Sequence, residues 1–232
     1  MNFDFLISIL FPRSCLLCHK TLRAGVLCEV CRRTITLHRT LFREMNPMSD
    51  HPPFPYWLGA AGNYESPALK TLIHALKFRG VTAAATPLAD IILEYVLSLK
   101  MNFDDYLVIP IPLSHKRFRA RGFNQSELIA RHLAARLNLQ LKTNCLVRAK
   151  HAKPQSETKD LNERLNNLHG CFTIARNETS VVNGRNIVLI DDVTTSGATF
   201  LEAAQTLKAA GAAKIFALAA ARTEQTARLL VR

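Results

Sequence analysis

Apolar residues recur along this chain in two alternating periods. WLGAAGNY, from Trp57 to Tyr64, is short and mostly apolar, which predicts a strand. Ser66–Gly80 then switches to helical spacing, with Leu69, Leu72, Ile73 and Leu76 on one face. Ser66 is its expected N-cap, Pro67 its first helical residue, and Gly80 lies beyond its end. LADIILEYVLSL continues the helical period, and YLVIPIP predicts a buried strand stopped by its prolines. NQSELIARHLAARLN places Leu128, Ile129, Leu133 and Leu137 on one helical face. NIVLID, ATFLEAAQTLKAAG and KIFALAAA complete the series as strand, helix closed by Gly211, and strand. Such alternation implies a mainly parallel sheet with helices on both faces, so the expected fold is α/β and doubly wound.

Two regions break the pattern. Residues 41–56 hold four prolines with little periodicity and read as a linker. They separate a cysteine-rich module at 1–40 from the α/β domain expected at 57–232. The polar stretch from Arg148 to Gly170 is too long for an ordinary connection and suits a functional lid or arm, with Lys150, Lys153, Gln155, Lys159 and Arg164 along it.

With 232 residues, 48% of them hydrophobic, the chain can build one sizeable core and a small appendage. No apolar run reaches the ~18 residues of a membrane-spanning helix, and the opening MNFDFLISILFPRSC does not read as a secretory signal. A net charge of +12 favours polyanionic partners such as nucleic acids or phosphates.

Four of the six cysteines fall in CLLC and CEVC, as Cys15, Cys18, Cys28 and Cys31. In a reducing compartment paired CxxC knuckles point to metal before disulfide, and four thiolates suit one tetrahedral structural zinc ion. Redox-active thiols or an iron–sulfur cluster compete for the same spacing. A module this small has little core, so the metal would supply its folding energy. His19 is surplus to four thiolates, and Cys145 and Cys171 read as packed thiols.

The densest chemistry lies in VLIDDVTTSGATF, Val188–Phe200. In doubly wound sheets ligands bind where strands end and loops lead into helices. Asp191 and Asp192 stand at such an end. Behind them Thr194, Thr195, Ser196 and Thr199 offer hydroxyls, and Gly197 allows close approach of backbone to a phosphate. The carboxylates would repel that phosphate if they faced it; they suit a vicinal diol, with a divalent cation nearby.

This thirteen-residue stretch resembles the phosphoribosyl pyrophosphate (PRPP) motif of the type I phosphoribosyltransferases. LIHALKFRG, VIPIPLSHKRFRARGFNQSELIA, RLNNLHGCF and the N-terminal CxxC pair, in that family's order, resemble the ComF family (competence protein F, or GntX-like). The resemblance implies PRPP bound with Mg2+ at Asp191, Asp192, Thr194, Thr195, Ser196, Gly197 and Thr199. It also implies a cytoplasmic protein of natural transformation that handles incoming single-stranded DNA, reaching the inner face of the membrane through partners.

LSHKRFRARGFNQ follows the strand VIPIP as a loop holding Lys116, Arg117, Arg119 and Arg121 with no acid among them. In a phosphoribosyltransferase such a loop grips pyrophosphate, the guanidinium groups bidentately and the backbone near Gly122 assisting. The same cations suit a DNA backbone, with Phe118 and Phe123 stacking on bases where exposed; a solvated basic face with both rings in the core is the bland alternative. Three functions stay open: a PRPP-site protein of DNA uptake, an active phosphoribosyltransferase on a base or amine acceptor, and an adaptor for a competence helicase or DNA-uptake pore. Only twelve residues follow the strand ending near Ala220, so an acceptor pocket is expected from residues 41–64 or the polar arm.

Overall fold

The computed structural model describes residues 13–44, 56–148 and 170–223. Most of the polar arm and most of the proline-rich linker lie outside the described residues.

A six-stranded sheet in the order β1-β2-β8-β7-β3-β4 forms the centre. Its strands are β1 (Phe42–Glu44), β2 (Tyr56–Asn63), β3 (Tyr106–Pro110), β4 (Gln140–Leu141), β7 (Asn186–Thr194) and β8 (Lys214–Arg222). All neighbours are parallel except β1, which runs antiparallel to β2. β1 thus pairs within the stretch expected to be a linker; three residues are too few to show a period. The expected doubly wound, mainly parallel sheet is present. A separate ribbon joins β5 (Leu146–Arg148) to β6 (Phe172–Ile174).

Cores lie on both faces. On one, helices α2 (Pro67–Phe78), α3 (Ala85–Ser98) and α5 (Gln125–Leu137) pack on the sheet. The positions picked out by period settle there: Leu69, Leu72, Ile73 and Leu76 of α2 are buried, as are Ile129 and Leu133 of α5, with Leu128 and Leu137 half-buried beside them. On the other face α7 (Ala198–Ala209) and the β5–β6 ribbon cover Leu107, Ile109, Ile187 and Leu189. Cys145 and Cys171 are buried in that second core, and burial pushes both thiols up to about 11. A four-residue helix, α6 (Thr179–Val182), precedes β7.

Two helix starts differ in detail from the sequence pattern. Ser66 makes no side-chain cap bond to α2, whose first turn relies on Pro67. The basic stretch after β3 is a helix, α4 (His115–Arg121), rather than a loop. Ser114 caps it by accepting the Arg117 N–H at 3.4 Å, and the Gly122 N–H closes its end on Phe118 O at 2.7 Å. α4 buries no residue, so it carries no apolar stripe for a period to reveal.

The cysteine module, with helix α1 (Glu29–Arg33), is docked on the first core. Leu16, Val26, Leu27, Ile35 and Leu37 pack against it, Arg32 pairs with Glu94, and the Tyr95 hydroxyl donates to Thr40 O at 2.7 Å. Leu37 bridges to Gly62 of β2, where a Cβ would stand 2.7 Å from Leu69 Cδ1 and 3.3 Å from Thr36 O. A Cβ there would press first on Leu69 of α2 and then on the Thr36 carbonyl. Gly62→Ala should therefore cost about 1–3 kcal/mol in urea unfolding, as overpacking does; an unchanged midpoint would show that Leu69 and the module give way there without cost.

Candidate functional site: a charged crevice between β3 and β7

The crevice begins where two strands part. β3 and β7 pair from Tyr106↔Asn186 to Pro110↔Ile190, and the ladder closes with Ile111 N–H donating to Ile190 O at 2.9 Å. β7 continues beside β8 through Asp191↔Ala219 to Thr194↔Arg222. The strand is therefore longer than the stretch ending at Ile190 that apolar residues alone suggest, because its last four residues pair only with β8. The chain leaves β3 for α4 and α5 on one face and leaves β7 for α7 on the other. Diverging connections from adjacent parallel strands create the crevice at which such sheets bind ligands.

A cavity of about 900 Å³ opens there. It is lined by Asp191, Asp192, Thr194, Thr195, Ser196, Gly197 and Thr199, all seven residues expected from the motif. Gly197 stands before α7 with φ +78°, a left-handed conformation that suits glycine, and it brings no capping side chain to the first turn of the helix. The Ser196 hydroxyl accepts the Ala198 N–H at 3.5 Å, a long contact of the kind a stronger acceptor such as an anion can replace.

The two carboxylates are differently held. Asp191 Oδ1 accepts from the Ser126 hydroxyl at 2.6 Å and from the Asp192 N–H at 2.9 Å. Asp192 is buried, its Oδ1 accepts from the Val193 N–H at 2.9 Å, and Lys77 Nζ lies 2.7 Å from its Oδ2. That contact is an ion pair outside hydrogen-bond angles, since the oxygen has no hydrogen-bond partner. Burial pushes the Asp191 carboxyl up and the Asp192 charge pushes it further. Lys77 and the Ser126 hydroxyl pull partly back, leaving it at about 7.

The basic residues divide. Arg117 and Arg121, one turn apart on α4, line the cavity; Lys116, Arg119 and Gly122 do not and are exposed. Arg121 also contacts Gln125 Oε1. Burial pushes its guanidinium below the ordinary value, Asp192 opposes this, and Arg117 adds to it. Phe118 is 47% exposed, whereas Phe123 packs on the first core. Lys77, Arg79, Ser126 and Arg148 also line the cavity and were missed by sequence reasoning. Lys77 and Arg79 lie in LIHALKFRG, the one polar cluster at the end of an apolar helix, which was the available signal.

The cysteine cluster sits apart from this crevice. The Sγ atoms of Cys15, Cys18, Cys28 and Cys31 lie within 4.8 Å of one another, with Cys18 and Cys28 at 3.6 Å. Tetrahedral Zn–S bonds of about 2.3 Å place sulfurs about 3.8 Å apart, so the set fits one such ion. Backbone N–H groups of Cys28 and Cys31 donate to Cys15 and Cys28 sulfurs, each at 3.4 Å, as structural thiolate sites do.

The parallel sheet, the switch-point crevice and the acidic strand end define a phosphoribosyltransferase-type domain, and residues 124–229 match the phosphoribosyl transferase domain family. The chain is 31% identical over 220 residues to DNA utilization protein YhgH of Escherichia coli O157:H7, covering 88% of this chain and 94% of that protein. It is 31% identical over 157 residues to Competence protein F of Haemophilus influenzae, covering 66% and 67% of the two chains. Competence protein ComFC of Bacillus subtilis is 32% identical over 151 residues, 62% of this chain and 55% of that one. This chain belongs to the ComF family. Among the described residues no helix is long and apolar enough to cross a membrane.

The state of Asp191 gives a direct check on this geometry. Its carboxyl is raised above the ordinary 3.8, so it favours the folded chain below about pH 4, and that contribution fades as pH rises through 7. Asp191→Asn keeps an acceptor for Ser126 and removes a partly buried charge. It should melt above the wild type at pH 8, with the difference shrinking toward pH 4; a pH-independent difference would contradict the burial described.

Proposed function

We propose that the crevice binds PRPP with Mg2+ and that the exposed side of α4 binds single-stranded DNA, in a protein of DNA uptake or utilization. The observation that carries the first part is the division of charge in one cavity. Two adjacent carboxylates lie at the strand end, a hydroxyl-rich loop leads to the start of α7, and Arg117 and Arg121 come from the neighbouring strand's connection. Each matches one part of PRPP. The Thr194–Thr199 loop suits the 5-phosphate, the carboxylates suit the ribose diol, and the guanidinium groups suit the pyrophosphate. Magnesium would arrive on the pyrophosphate and neutralise charge beside Asp191 and Asp192.

The DNA reading rests on the other half of α4. Lys116 and Arg119 are exposed away from the cavity, with Phe118 beside them, giving cations for a phosphate backbone and a ring for base stacking. The names of the relatives, DNA utilization and competence, support the same assignment. The cysteine module suits a structural zinc ion that holds residues 13–40 against the first core. A competence helicase or the DNA-uptake machinery is the partner this family membership suggests.

The two binding functions should separate by mutation. Arg117→Ala with Arg121→Ala should weaken Mg–PRPP binding in calorimetry and spare an oligodeoxythymidylate. Lys116→Ala, Phe118→Ala and Arg119→Ala together should lower oligonucleotide affinity and flatten its salt dependence while sparing PRPP. Asp192→Ala should cost PRPP about 1.5–3 kcal/mol, as loss of a charge-assisted hydrogen bond does. PRPP binding unaffected by both the Arg117/Arg121 change and Asp192→Ala would place the ligand elsewhere. Metal analysis should return about one zinc per chain, lost in Cys28→Ser; a folded, metal-free wild type would end the zinc reading.

A further inference from the structure

Helix α2 reaches from the cysteine module to the crevice. Near its start Leu69 meets Gly62 of β2, and the module meets the same point. A Cβ at Gly62 would stand 2.7 Å from Leu69 Cδ1, 3.3 Å from Thr36 O and 3.8 Å from Ile35 Cγ2. Near its end Lys77 Nζ lies 2.7 Å from Asp192 Oδ2, with Asp192 buried and Lys77 22% exposed. Leu69 and Lys77 are eight residues apart, about 12 Å along a helix.

The module's grip on Gly62 depends on its cysteines. The Thr34 N–H and hydroxyl both donate to Cys31 O, at 3.3 and 2.7 Å, and the Ile35 N–H donates to Arg32 O at 3.0 Å. Ile35 and Thr36 are thereby placed by the short helix that carries Cys31. From there the chain runs onto β2, with a bridge between Leu37 and Gly62 and the His38 N–H donating to Ala61 O at 2.9 Å. Among the described residues the module's own core is three buried cysteines with half-buried Leu17, Leu22 and Leu27. On the zinc reading given above, so small a core keeps its shape only while the ion joins the four sulfurs.

Between its two ends α2 is tightly held. Leu69, Leu72, Ile73 and Leu76 are at most 1% exposed in the first core, and a close-packed interior transmits a displacement instead of absorbing it. We propose that α2 is a strut linking the metal centre to the carboxylates of the crevice. The Lys77–Asp192 pair holds the helix against the module, and the metal-loaded module holds Lys77 on Asp192. The inference rests on the zinc reading of the module. A ligand that takes Asp192 from Lys77 weakens the hold on the metal, and, because linkage is reciprocal, loss of the metal eases that ligand's entry.

The test is the zinc dissociation constant of the full chain, measured by competition with a chromophoric chelator. Asp192→Asn keeps an acceptor for the Val193 N–H and removes the charge that holds Lys77. It should weaken zinc about fivefold, the low end of coupling between sites. Lys77→Met should do the same, and the double variant no more than either alone, because all three lose one contact. In an Ile35→Ala background Asp192→Asn should have no effect, since the strut is then cut at Gly62. Leu207→Ala, which opens the core on the other face of the sheet from α2, controls for general loss of stability. Equal zinc affinity in wild type and Asp192→Asn, or an equal weakening in Leu207→Ala, would overturn the strut. Saturating Mg–PRPP should weaken zinc in the wild type as Asp192→Asn does. A weakening in Asp192→Asn with none from PRPP would support the strut and count against PRPP as the ligand that moves Lys77. A wild type that binds no zinc would overturn the metal reading, and the strut with it.

Discussion

The parting of β3 from β7 sets up everything at the site. A parallel ladder satisfies backbone groups on both sides of a central strand, and giving up one side leaves polar groups that need another partner. Here the break is built into the sequence. Pro110 and Pro112 cannot donate to the ladder, so β3 ends while β7 runs on beside β8 alone. The last four residues of β7 include both carboxylates, and the space vacated by β3 is the space they line. Opposite-face routes for the two following helices keep that space open. The crevice is therefore a consequence of topology, placed at the carboxyl edge by two adjacent strands whose connections diverge.

Charge placement follows from the same geometry. Two adjacent carboxylates in a partly buried site would be costly without compensation. α2 supplies Lys77 against Asp192, and α5 supplies the Ser126 hydroxyl to Asp191. Burial and the neighbouring Asp192 charge still raise the Asp191 carboxyl. On the proposed reading a ligand brings a cation to the carboxylates and hydroxyl protons to their oxygens, and Arg117 and Arg121 of α4 take its anionic remainder. The cysteine module contributes differently, by covering the face of the sheet behind β2 and by placing Thr36 and Thr40 against Gly62 and Tyr95.

Much of this was legible in the chain itself. Period alone placed the buried residues of α2 and α5, because their apolar stripes face one core. The VLIDDVTTSGATF stretch pointed to all seven of its cavity residues, because a strand end, a loop and a helix start are contiguous in sequence. What could not be read was whatever required a second element. Lys77 belongs to the crevice only because α2 packs beside β7, more than a hundred residues later in the chain. α4 reads as a loop in the sequence because an exposed helix of seven residues has neither an apolar stripe nor the length to show a period. Its cations could be counted in the sequence, but their division into Arg117 and Arg121 inside and Lys116 and Arg119 outside needed the helix to be known.

On the proposed reading Asp191 and Asp192 receive a ribose diol, and Lys77 holds Asp192 until they do. A crystal structure of the protein grown with PRPP and magnesium tests it most directly. The ribose hydroxyls should lie within hydrogen-bond distance of both carboxylates, the 5-phosphate on the Thr194–Thr199 loop, and Lys77 moved off Asp192. A ligand found outside the crevice, or bound within it while Lys77 stays paired with Asp192 and no hydroxyl meets the carboxylates, would contradict it.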